Sequence, residues 1–86
     1  MNSVNAKIVE IADRVITIRI RDAAVAAQVG REIKLDGFRA SWVACLPSKE
    51  SDGDECELVN ALEYRIEGKD DIHSLKVASI CEVTWE

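Results

Sequence analysis

Val15-Ile-Thr-Ile-Arg-Ile-Arg21 decides the fold. Ile16, Ile18 and Ile20 fall on one face and Thr17, Arg19 and Arg21 on the other, which is the period-two pattern of a half-buried strand built from β-branched residues. Ala6 to Ile11 is also β-prone, and the polar link Ala12-Asp13-Arg14 predicts a hairpin between the two. Immediately downstream, Asp22 precedes Ala23-Ala-Val-Ala-Ala-Gln-Val29 and then Gly30. An Asp that caps orphan amides, alanines of high helix propensity and a terminal glycine predict two turns of helix. Val25 and Val29, at i and i+4, form its contact stripe.

Further along, Glu32-Ile-Lys-Leu35 and the arm from Phe38 to Leu46 flank Asp36-Gly37, a pair suited to the positive φ angles of a type I′ turn. The second arm places Phe38, Ala40, Trp42, Ala44 and Leu46 on one face, with Arg39 and Ser41 on the other. Leu62, Tyr64 and Ile66 then alternate with Glu63, Arg65 and Glu67, and this alternation predicts a strand although Leu58, Leu62 and Ile66 also match a helix. A long C-terminal strand would set Leu75, Val77, Cys81, Val83 and Trp85 on its inner face, with Ile80 as the exception. The expected fold is therefore α+β and mostly β. It is a small, strongly bent antiparallel sheet or open barrel in the meander-like order β-β-α-β-β-loop-β-β, with the short helix over one end. Residues 1–86 are expected to form a single small β-rich domain, with Ile16, Ile18, Ile20, Trp42, Val77 and Val83 in one core.

Charge is laid out unevenly along the chain. Residues 1–47 carry seven Lys/Arg against five Asp/Glu, whereas residues 48–86 carry four against eleven, for a net −5 in 86 residues. The break falls at Pro47, before the acidic stretch Ser48-Lys-Glu-Ser-Asp-Gly-Asp-Glu-Cys-Glu57. Such asymmetry bears on partners and solubility rather than on fold. No apolar run approaches the roughly 20 residues of a membrane-spanning helix, and no charged-then-apolar leader is present, so a cytoplasmic location is expected. Three cysteines, Cys45, Cys56 and Cys81, are an odd number without a CxxC pair, which fits free thiols in a reducing compartment.

Catalytic and metal signatures are weak. His73, the only histidine, neighbours Ser74, but no nucleophile elbow or triad spacing accompanies it, and the expectation is a turn histidine in a protein that is not an enzyme. Cys45, Cys56, Cys81 and His73 lack the close pairs of a structural zinc site. Asp52-Gly-Asp54 resembles the start of a calcium loop, yet Cys56 and Glu57 stand where that loop needs an oxygen ligand and a glycine. Gly30, Gly37, Gly53 and Gly68 are scattered, so no phosphate loop is formed and no cofactor is expected.

Two functions remain. The preferred one is a non-catalytic protein-interaction or inhibitor module that docks on a basic protein partner, such as a nucleic-acid-binding protein. Its acidic C-terminal surface would be Glu50, Asp52, Asp54, Glu55, Glu57, Glu67, Asp70 and Asp71. The alternative is a small barrel that binds nucleic acid or a small ligand through Arg19, Arg21, Arg31, Lys34 and Arg39, although Phe38, Trp42, Tyr64 and Trp85 all fall on inner faces and leave no stacking platform. Strands near both termini would leave sheet edges, so a homodimer is expected.

Overall fold

The computed structural model describes residues 1–52 and 55–86, with side chains described for residues 1–45 and 61–86. Six antiparallel strands and one helical turn follow in the order β1 (Asn2–Ala12), β2 (Val15–Arg19), α1 (Ala23–Ala26), β3 (Glu32–Leu35), β4 (Phe38–Asp52), β5 (Glu55–Ile66) and β6 (Ile80–Trp85). The mostly β fold with a short helix is as expected, and the bent sheet closes fully. Its strand order is β1-β2-β5-β4-β3-β6, with β6 returning to β1. Strands β3, β4 and β5 form a meander and β6 lies beside β3, so the connections are those of a Greek key. Two crossovers, the α1 segment and residues 67–79, join strands that are not neighbours.

The isoleucine alternation at Val15–Arg19 builds the interior. Ile16, Ile18 and Ile20 are buried together with Ile8, Leu35, Tyr64, Cys81 and Val83. Thr17, on the outer face, is also largely covered, flanked across the sheet by Glu10 and Glu63. Asp13 takes φ 59° in the β1–β2 turn, while Asp36 and Gly37 take φ 49° and 89° between β3 and β4. Two successive positive φ values define the type I′ turn whose twist matches its strands, and glycine reaches its value without steric cost.

Four expectations need correction. The helix is one turn, not two, and Gly30 does not enter the left-handed region that would end a longer one. Asp22 does cap it, accepting from the Ala24 and Val25 amides. The tyrosine hydroxyl of Tyr64 donates to the Gly30 carbonyl at 2.7 Å, and this bond draws the chain out of the helix toward β3. Val25 and Val29 still pack against the core.

Trp42 is 37% exposed rather than buried. The last ladder pair of β3 with β4 is Glu32↔Ser41, Arg31 O accepts the Trp42 amide at 2.8 Å, and the indole meets Tyr64 edge-on with centroids 5.6 Å apart. A bulge at Val43 then breaks the register between Trp42 and Ala44, which ends the single-face alternation expected from Phe38 to Leu46. Val77 is 56% exposed, because the last strand starts only at Ile80. Residues 72–79 turn instead, through Leu75 N to Ile72 O, Ser79 N to Lys76 O and a positive φ at Ala78. Leu75 reaches the core from within that turn.

The acidic stretch 48–57 is the fourth. Rather than an open loop, its backbone pairs as strand from Ser48↔Val59 to Asp52↔Glu55, leaving only residues 53 and 54 outside the description. Replacing Ile18 with Ala is expected to cost about 2 to 5 kcal/mol, as for other large-to-small core changes. Val77→Ala should change stability by less than about 0.5 kcal/mol. Urea melts of the two variants check both, and a cost below that limit for Ile18 would contradict the inward register of β2.

Candidate functional site

The predicted acidic surface is divided by the fold. Glu50, Asp52, Glu55 and Glu57 lie on the distal part of the β4–β5 hairpin; their side chains, and Asp54 altogether, lie outside the described residues. Glu67, Asp70 and Asp71 lie in the crossover that follows the opposite end of β5. Ten residue steps along the chain separate Glu57 from Glu67, roughly 30 Å at the usual strand rise. One compact contact does not include both groups.

In the crossover the acids have local work. Asp71 accepts the His73 backbone amide at 3.0 Å and pairs with its imidazole Nδ1 at 2.7 Å, both side chains well exposed. Asp70 serves through its backbone, since its carbonyl accepts from Arg14 Nη1 at 3.0 Å. The Arg14 Nε and Nη2 atoms are buried without a hydrogen-bond partner among the described residues. Arg14 thus ties the β1–β2 turn to the crossover, and Ile66 N to Arg14 O adds a second tie.

The hairpin that carries the other acids leaves the barrel. Strand β2 pairs with β5 only from Ala61 to Arg65, and β3 pairs with β4 only from Phe38 to Ser41. Beyond Leu46↔Ala61 the two strands pair with each other alone, as an arm roughly 20 Å long. At its root stand Trp42, Val43, which is 41% exposed, and exposed Cys45. The sequence placed Trp42 inward, and the missing signal was where β3 would end.

The five cations also divide. Arg19 sits within β2, opposite Lys7 and Ala61, and Arg21 follows that strand. Arg31, Lys34 and Arg39 instead line one open groove of about 910 Å³ that forms where β3 and β6 part below their two paired positions. Glu32, Glu67 and Glu86 line it too. Ile33, Ala40 and Trp85, which also border it, are buried in the core. Trp42 lies outside this groove, so the exposed aromatic and the cation cluster are separate features.

No group of three His, Cys, Asp or Glu side chains is placed to hold a metal among the described residues. Cys81 faces the core, and burial, with the Asp36 carboxylate adding to it, pushes its thiol up from 9.0 to about 11. Burial likewise raises Tyr64, with a smaller contribution from Cys45, from 10.0 to about 12. Both groups are neutral acids held neutral by the fold, whereas the unfolded chain ionises them at ordinary values. Their stabilisation is complete below about pH 9 and is lost as pH climbs toward 12.

Tyr64 is the only tyrosine, so the tyrosinate absorbance should titrate near 12 in the folded protein. A midpoint near 10 would place the phenol in solvent. Under native conditions a thiol reagent should modify Cys45 readily and Cys81 only after unfolding, since reaction requires exposed thiolate. Compared with known protein families, with curated proteins and with solved structures, the chain matches none.

Proposed function

We propose that the chain is a non-catalytic interaction module that docks on a basic protein surface through the acidic β4–β5 arm. The supporting observation is the arm itself. A two-stranded ribbon is marginal in water when nothing else packs on it, and this one has unpaired outer edges beyond Ala61. Residues 48–57 bring five carboxylates and one lysine to it. Exposed Trp42 and Val43 at the root supply the apolar anchor that interfaces concentrate near their centre. Acidic charge at the tip speeds encounter with a cationic partner, and the root holds the complex.

An inhibitor that occupies a cationic surface otherwise used for nucleic acid is the partner class this charge favours. Glu67, Asp70 and Asp71, at the far end of β5, are left out of that contact. Asp71 instead pairs with His73 in the crossover, and Glu67 borders the groove. The same free edges would serve pairing of two copies. Closure of the barrel covers the terminal strands, since Asn2 to Lys7 pair with Trp85 to Ile80, so the dimer expectation moves from the termini to the arm. No helix among the described residues is long and apolar enough to cross a membrane. The odd cysteine count supports a cytoplasmic setting.

The test compares capture from a host lysate by the wild-type chain and by two charge variants, followed by association rates with the purified partner. Glu50→Gln/Glu55→Gln/Glu57→Gln should slow association by about tenfold at low salt and less at high salt. Asp70→Asn/Asp71→Asn should leave it unchanged. Trp42→Ala should raise the dissociation rate. Binding that persists in the arm variant at every salt concentration, but is lost on changing Arg19, Arg21 and Arg39 to Ser, would overturn the reading. Light scattering at micromolar concentration distinguishes a pair of chains from one of 9.5 kDa.

A further inference from the structure

Lys34 and Arg39 oppose each other across the β3–β4 hairpin, in a register set by the Asp36-Gly37 turn. Opposed side chains on one face of an antiparallel pair have Cβ atoms about 5 Å apart, and like charges there work against pairing. Both residues are exposed, and neither side chain forms an ion pair or hydrogen bond among the described residues. Across β6, β3 and β4 to the residue that follows β5 their row reads Thr84, Lys34, Arg39, Glu67, the last step marked by Glu67 N donating to Arg39 O. Arg31 lines the same groove, together with Glu32 and Glu86 where the strands part.

We propose that this groove binds a small phosphomonoester, with the phosphate between Lys34 and Arg39 and the rest of the ligand along the groove past Arg31. Two adjacent cations are matched by two negative charges on one group. A phosphomonoester carries about −1.5 to −2 near neutral pH on three acceptor oxygens, whereas a carboxylate or a sulfate ester carries a single charge. The Arg39 guanidinium offers a planar fork to two of those oxygens and Lys34 a compact charge to the third. The groove, about 910 Å³, falls within the range of small-molecule sites, and both Lys34 and Arg39 are carried on strands.

A polymer fits less well. Positive ground is only two strands wide: Glu67 lies beyond Arg39 in the row, and Glu32 and Glu86 lie below. A tracked nucleic-acid backbone would place its next phosphates on those carboxylates. Binding here is independent of the acidic arm, so either can fail without the other.

Phenyl phosphate and phenyl sulfate, alike in shape, are titrated into isotope-labelled full-length protein at constant ionic strength while amide resonances are followed. Phenyl phosphate should give saturable shifts confined to the strands around the groove, and phenyl sulfate should bind at least about tenfold more weakly. Lys34→Gln and Arg39→Gln should each weaken phenyl phosphate by about tenfold, with Arg21→Gln binding as wild type. Lys34→Gln relieves a like-charge contact with Arg39, so its urea midpoint should equal or exceed that of the wild type. Non-saturating shifts, equal affinity for the two esters, or undiminished binding in the Lys34→Gln/Arg39→Gln double variant would overturn the proposal. The comparison of the esters uses the wild-type chain and stands whatever the variants do.

Discussion

Insertion of β6 between β1 and β3 is the contact on which the rest of this structure depends. Six residue pairs join β6 to β1, and two join it to β3. Without it the sheet would have two free edges, β1 and β3, and Cys81, Val83 and Trp85 would leave the core. Two further bonds secure the narrow side: the Asp36 amide donates to Glu82 O, and the Asp36 carboxylate accepts from Glu82 N at 2.7 Å. The turn aspartate therefore has two roles, adopting positive φ within its hairpin and holding the returning strand.

The asymmetry of that insertion creates the groove. Because β6 leaves β3 after Lys34↔Thr84, the wall opens beside Glu32 and Ile33 and exposes a strand face that would otherwise be continuous sheet. Closure at the other end uses a different device. The crossover of residues 67–79 sends Ile72 and Leu75 against the core, and Arg14 holds it by a bond to a backbone carbonyl. An interior filled by Tyr64 and branched aliphatics lets one end carry the arm and its root while the crossover occupies the other.

Arm and groove differ in how they would recognise a ligand. The arm projects past its neighbours, presents strand edges and concentrates negative charge, features suited to a large surface of opposite sign. The groove is concave and sets two cations side by side on paired strands, features suited to one compact anion. Arg31, Lys34 and Arg39 share the groove with Glu32, Glu67 and Glu86, whereas residues 48–57 of the arm carry five carboxylates against one lysine.

Local patterns in the sequence were sufficient for β2, the β3–β4 hairpin, the two tight turns and the Asp22 cap, since each depends on side chains within a few residues of one another. Ile16, Ile18 and Ile20 had to share a face, and Asp36-Gly37 had to turn with positive φ, whatever the remainder of the chain did. The charge division at Pro47 was equally plain. What required the tertiary structure was every property set by where a neighbouring strand ends. Alternation continued through Trp42 and Val77, but β3 stops short of one and β6 begins beyond the other, and so both emerge into solvent. The acids read as a single surface because sequence proximity to a loop says nothing about which end of a barrel that loop occupies. A strand converts ten residues into roughly 30 Å, and this conversion separates Glu57 from Glu67. Lys34 and Arg39 came together for the converse reason: hairpin register was local, whereas the groove they line exists only because a strand from the other end of the chain fills one part of the barrel wall and leaves the next part open.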